Sequence, residues 1–208
     1  MTPGVAKHRL FAWLEQPIQP DHALFAVAAD DDHTFGILHS RFHEVWALAQ
    51  GTQLEDRPRY TPTTCFETFP FPNPTESQRA AISAAAVSLN QLRENWLNPP
   101  EWTREETLVF PATVGGPWHR WIPNAEGLEI GSVHKAHYKR IVPKPGMDKL
   151  VAARTMTKLY NEKPAWLRHA HRILDEAVAD AYHLPVDITD ADLLAALLAL
   201  NLAQSQTT

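Results

Sequence analysis

The sequence predicts an α+β fold: a small mixed α/β segment, then a mainly helical region, the two joined by a strap of prolines and aromatics. Two apolar runs of strand length, Arg9–Leu14 and Ala23–Ala28, precede a long amphipathic helical pattern. The stretch Arg59–Pro72 holds four aromatics and three prolines in fourteen residues. Each proline fixes its own φ and pushes its neighbour toward extended backbone, so the stretch is stiff and suits neither a helix nor a strand. Three further helical patterns close the chain.

Taken in order, Arg9–Leu14 reads as a strand, being rich in bulky apolar residues, and Pro17 and Pro20 break the chain after it. Ala23–Ala28 is the second strand. Asp30, Asp31 and Asp32 place acids where a helix dipole favours them. Phe35, Leu38, Phe42, Val45, Trp46 and Ala49 then recur every three or four residues, predicting one helix over 33–50 that stops at Gly51. The apolar strap to Pro74 must lie along another surface, across a domain boundary. Thr75 and Gln78 form a capping box for a helix running to about Leu97, stopped by Pro99-Pro100. Residues 101–147 read as an irregular, aromatic-rich insert with short strands at Thr107–Phe110 and Trp118–Ile122. Helices follow over 148–160, from Pro164 to about Tyr182, and from the N-cap Thr189 to about Leu202. The expected boundaries are 1–58, 59–74 for the strap, and 75–208.

With 44% apolar and 21% charged residues, the 208-residue chain reads as globular. No apolar run approaches the roughly 20 residues that span a bilayer, and residues 1–9 lack a signal-peptide core. Cys65 stands alone, which excludes an internal disulfide and makes a reduced, cytoplasmic setting the default. The net charge of −5 hides an asymmetry: residues 134–172 carry ten Lys or Arg against Asp148 and Glu162, whereas residues 173–208 carry six acids and no Lys or Arg. Such a basic block suits an anionic partner, although charges alternating over a solvated helical surface would give the same count.

Few motifs carry chemistry. Asn98-Pro99-Pro100 resembles the tetrapeptide with which adenine-N6 methyltransferases hold a flipped base, but Glu101 stands where the aromatic belongs. No Gly-rich turn follows a strand to hold S-adenosylmethionine, so the prolines read as a helix stop. His39 and His43 lie one helical turn apart, a spacing that can serve a metal. A metal needs three or four convergent ligands, and contact with a DNA phosphate or base edge is the better functional reading of the pair. Phosphate-binding, nucleophile-elbow and zinc-ligand motifs are missing.

The segments Phe35-Gly36-Ile37-Leu38-His39-Ser40-Arg41-Phe42-His43-Glu44-Val45-Trp46 and Arg59-Tyr60-Thr61-Pro62-Thr63-Thr64-Cys65-Phe66-Glu67-Thr68-Phe69-Pro70-Phe71-Pro72, in this order, carry a family resemblance. They resemble the C-terminal part of type IIG/IIL (MmeI-like) adenine-N6 DNA methyltransferases of restriction–modification and phage-defence systems. There a recognition region ends in FGxLxSRxHxxW followed by RYxxTxxFETFPFP. Further matches are Val5–Arg9, Leu97–Trp102, Thr155–Asn161 and Leu197–Asn201.

The resemblance implies a non-catalytic target-recognition part that positions duplex DNA for a methyltransferase domain or subunit of a bacterial-type system. It implies S-adenosylmethionine for the parent enzyme but no cofactor in this chain, which is then a fragment, a truncated gene or a separate subunit. The alternative is an assembly module or an inactive fragment. The expected DNA contacts are Lys7, Arg9, His39, Arg41, Arg57, Arg59 and Tyr60. To these are added Lys135, Tyr138, Lys139, Arg140 and Lys144, placed on a loop and forming one cationic edge.

Overall fold

The computed structural model describes residues 1–15, 18–54 and 57–206; Pro17, expected to break the chain, lies outside them. The fold is α+β, 46% helical and 16% strand. Contacts divide it into two units. The first comprises Met1–Trp13, Pro20–Arg93 and Thr157–Thr208; the second comprises Leu14–Gln19 and Glu94–Met156.

In the first unit, of the two expected strands, Ala23–Ala28 shrinks to the two-residue β2 (Leu24–Phe25), which pairs with β1 (Thr2–Pro3), a strand the sequence did not suggest. Arg9–Leu14 is irregular instead. Phe11 is buried, and its N–H and C=O go to the side chains of His39 and Arg93, while Ala12 N–H and C=O go to the Met1 carbonyl and amine. That arrangement satisfies the backbone without a ladder.

The predicted helix over 33–50 is two helices, α1 (Asp32–His39) and α2 (Arg41–Gln50). Asp31 caps the first, accepting from Thr34 N–H at 2.8 Å. Ser40 splits the pattern. Its hydroxyl donates to Ile37 O at 2.7 Å, and its backbone is extended, so it serves as N-cap of α2. The Gly36 in this run has a packing reason: a Cβ there would stand 2.8 Å from Ile82 Cγ2 and 3.2 Å from Leu174 Cδ1. The missing side chain lets α1 approach α4 (Glu76–Leu97) and α7 (Ala165–Ala181) closely.

After β3 (Thr52–Leu54) and β4 (Arg57–Arg59) comes the strap, which is not extended throughout, since α3 (Pro62–Cys65) makes one helical turn. Proline at a first helical position costs nothing, which explains why the turn begins there. The strap holds the first unit together rather than crossing a boundary. Phe69 is buried against His43 and Trp46. Tyr182 donates to Pro70 O at 2.9 Å, and Asn201 on α8 (Asp190–Ser205) donates to Thr68 O at 2.7 Å.

The capping box at Thr75 forms as expected, Thr75 N–H donating to Gln78 Oε1 at 2.9 Å. So does the Thr189 cap, accepting from Asp192 N–H at 3.2 Å. The predicted helix over 148–160 is broken into α5 (Asp148–Ala152) and α6 (Met156–Glu162). The core gathers Ile37, Phe42, Trp46, Ile82, Leu89, Leu159, Leu174, Val178 and Leu193, all nearly inaccessible.

The second unit is built on an antiparallel hairpin, β5 (Thr103–Thr113) and β6 (Val133–Pro143), with eleven paired positions. The Trp118–Ile122 segment is a 3₁₀ turn over His119–Trp121, not a strand. It closes a small core of Ala112, Val114, Ile122 and Ala136, edged by Phe110, Trp118 and Trp121.

Candidate nucleic-acid interface

Gly51 sets the geometry of the first exposed ribbon. A Cβ there would stand 2.7 Å from both Ala47 O and Arg59 O, so only glycine lets the chain double back at the end of α2. β3 and β4 then pair, with Thr52 opposite Arg59 and Leu54 opposite Arg57. Period-two alternation places Thr52, Leu54, Arg57 and Arg59 on one face. All four are exposed.

The base of this ribbon is fixed from below. Tyr60 is buried, with its hydroxyl 3.1 Å from His43 Nε2 and the Arg9 guanidinium 4.7 Å from its ring centre. Burial pushes the Tyr60 hydroxyl above its ordinary pKa. His43 Nδ1 meets Leu38 O at 3.2 Å, so Nδ1 carries the proton and Nε2 accepts from Tyr60. The two histidines on this part of the fold are neutral: desolvation lowers His43 to about 3 and holds His39 well below its ordinary value.

The second exposed ribbon is the β5–β6 hairpin. Lys135 and Lys139 lie on one face with Thr107, Val109 and Ile141; Arg140 and Tyr138 lie on the other with Glu106 and Leu108. The Tyr138 face packs on its own closing segment, since Trp118 and Trp121 both lie 5.6 Å from the Tyr138 ring. The Lys135 face is open to solvent.

Several expected contacts are therefore corrected. Lys135, Tyr138, Lys139 and Arg140 stand on a strand, and Lys139 and Arg140, being neighbours on it, point to opposite faces, so the four cations do not form one edge. Lys139 pairs with Glu105 at 2.8 Å, and Arg140 holds Glu106 at 2.8 and 3.1 Å. Lys144 lies beyond the strand and donates to Pro100 O at 2.9 Å. His39 is buried, Nδ1 donating to Phe35 O and Nε2 accepting from Phe11 N–H and Arg93, so no ring nitrogen is left for DNA.

Arg41 is an anchor for α8, donating to Asp190 Oδ1 at 2.9 Å through Nε and to Ile188 O at 2.6 Å. Arg9 donates to Thr2 Oγ1 at 3.0 Å and to Pro3 O, which turns it inward, and Tyr60 is buried beneath it. Lys7 is exposed, with its ammonium 2.8 Å from Asn161 Oδ1. Of the expected contacts, Lys7, Arg57, Arg59, Lys135, Lys139 and Arg140 stand exposed, Arg140 on the opposite face of β6 from Lys135 and Lys139.

Sequence reasoning missed the open face of β5–β6, including Thr107, Val109 and His137. The signal was there in the alternation of Val133-His134-Lys135-Ala136-His137-Tyr138-Lys139, which has strand period. The Asn98-Pro99-Pro100 segment is a turn ending α4: Thr103 Oγ1 donates to Pro99 O at 2.8 Å, and Arg154 covers Trp102 at 4.3 Å.

The family model of the MmeI target recognition domain matches residues 10–73. Residues 10–73 are MmeI-like. This MmeI-like segment contains α1, α2, the β3–β4 ribbon and most of the strap. The solved structure of the type IIL restriction-modification enzyme MmeI in complex with DNA is similar in fold, with a TM-score of 0.55 and 23% identity. The match covers 86% of this chain and 17% of that one, so the chain spans less than a fifth of the length of that relative. Curated proteins give no match. No helix among the described residues is long and apolar enough to cross a membrane.

Proposed function

We propose that the chain binds duplex DNA and reads a target sequence, as the recognition part of a type IIL-like restriction–modification methyltransferase. The observation that carries this reading is the β3–β4 ribbon. It lies inside the MmeI-like segment, exposes Arg57 and Arg59 on one face, and is pinned at its base by Tyr60, His43 and Arg9. A two-stranded ribbon fits the major groove, and a guanidinium can hold either a phosphate or the O6/N7 edge of guanine. Such contacts need a fixed support, which the buried Tyr60–His43 pair supplies.

In this reading methyl transfer and S-adenosylmethionine belong to another part of the enzyme, and the chain alone transfers no methyl group to DNA. Arg57→Ala with Arg59→Ala tests the ribbon. Each phosphate contact contributes a slope of about −0.9 to log K against log salt. The double variant should bind duplex DNA more weakly and flatten that slope by up to about two units. Unchanged affinity and slope would remove the ribbon from the interface.

A second reading rests on the open β5–β6 face. Val109, Val133 and Ile141 are each more than half exposed there, and such apolar surface suits a protein partner, making the hairpin an assembly element. Val133→Lys with Ile141→Lys separates the two. A protein-binding face loses its partner, whereas a DNA-binding face gains affinity for every duplex.

A further inference from the structure

A cleft of about 500 Å³ opens within the first unit, lined by neither β3 nor β4 but sharing Arg9 with the base of their ribbon. Its floor is apolar, with Leu10, Leu38 and Leu167, and the Tyr160 ring stands in its wall. Tyr160 is itself fixed, its hydroxyl 2.8 Å from His171 Nε2. Charged groups line it along α7 and the turn before that helix: Asp175 stands at one end with Glu44, Asp187 and Arg41, Lys163 and Arg168 stand at the other, and Arg172 between them is paired with Glu176.

Asp175 is the unusual group. Its Oδ1 accepts the Arg41 N–H at 2.8 Å, and Oδ2 takes no hydrogen bond among the described residues. Desolvation raises its pKa to about 6, against the opposing pull of Arg41. A half-buried carboxylate with one oxygen unengaged is an acceptor waiting for a donor. Arg168 uses one terminal guanidinium nitrogen on Lys163 O, which leaves its Nε, its other terminal nitrogen and the exposed Lys163 ammonium for an anion. Arg168 and Asp175 are seven residues apart on one helix, hence on the same face and ~10 Å apart along the axis.

We propose that this cleft binds a single nucleotide unit, its base amine on Asp175 and its phosphate on Lys163 and Arg168. The separation of the two ends is the span from a base amine to its own 5′-phosphate, and the apolar floor takes the flat base. The volume suits a ligand of this size. A carboxylate accepts from the amine of cytosine. It is repelled by thymine, whose one ring N–H lies between two carbonyls. The unit is either a free nucleotide or a nucleotide standing unpaired in DNA, since both present the same amine and phosphate. The proposal is independent of duplex reading.

Titration calorimetry of the whole chain tests it. One-site saturation by dCMP is expected, with dTMP and deoxycytidine each at least tenfold weaker. Asp175→Asn keeps an acceptor for the Arg41 N–H and should abolish the preference for dCMP over dTMP. Lys163→Gln should abolish the preference for dCMP over deoxycytidine. Thermal melts of both variants show that they fold. Competition then assigns the source. If a duplex with one unpaired cytosine displaces dCMP more readily than the paired duplex, the site holds a nucleotide of DNA. If neither duplex displaces it, the ligand is a free nucleotide. Failure of dCMP, dAMP and dGMP to saturate the chain overturns the proposal, as does intact discrimination in both folded variants. Duplex binding through Arg57 and Arg59 is measured separately and survives either failure.

Discussion

His39, His43 and His171 show how little a residue name says without its surroundings. A pair one turn apart looks like a metal or DNA site in the sequence, yet His39 and His43 are struts, with both ring nitrogens of each engaged inside the fold. Burial keeps them neutral, and desolvation lowers His171 to about 4. A histidine with a depressed folded pKa is equally neutral in both states above about pH 6.5. Below that the unfolded chain takes up the proton and the folded one does not, so stability falls with pH until the folded pKa is reached. Asp175, raised to about 6, works the other way, adding stability as pH falls from about 6 toward 4. Three histidines outweigh one carboxyl, so the melting temperature should drop between pH 7 and pH 5. Each withheld proton contributes up to about 1.4 kcal/mol per pH unit. His43→Gln should flatten the profile by one such proton; a flat wild-type profile would mean that these rings are accessible.

At the scale of elements, the legible parts were those set by local chemistry. Thr75 with Gln78 and Thr189 with Asp192 announced helix starts, and the structure has them. Ser40 hid its break because the apolar spacing from Phe35 to Trp46 runs on through it. Leu10 and Phe11 looked like strand because bulky apolar residues fit a ladder, but here the Leu10 carbonyl accepts from the Thr2 hydroxyl and Phe11 binds side chains of α1 and α4. Gly36 was visible in the motif while its purpose was not, since Ile82 and Leu174 come from distant sequence. Gly36→Ala should cost about 1–3 kcal/mol by overpacking, measured as a shift in urea midpoint. The strap makes a similar test. Phe69 is buried among His43, Trp46 and Phe71. Phe69→Ala should cost about 3–5 kcal/mol, and an unchanged melting temperature would mean that the strap contributes no packing.

For the whole molecule, the charge asymmetry was legible but its layout was not. A count of cations over residues 134–172 cannot show that Lys139 and Arg140 face opposite ways, or that Glu105 and Glu106 stand beside them. The pairing register decides that, and it depends on a partner strand thirty residues upstream. The resemblance was more durable, because motifs in fixed order survive such rearrangement, and the MmeI target recognition model falls on residues 10–73. The candidate surface narrowed accordingly, from twelve residues to the exposed ribbon at Arg57 and Arg59, the open face of β5–β6 with Lys135 and Lys139, Arg140 on its other face, and the exposed Lys7.

Sequence-selective binding of duplex DNA is the central claim, and selection from a pool of random duplexes tests it most directly. The whole chain, mixed with the pool at low salt and then at rising salt, should enrich one short sequence. Arg57→Ala with Arg59→Ala should lose that enrichment. A pool recovered without any preferred sequence, or no duplex retained even at low salt, would contradict target recognition by this chain.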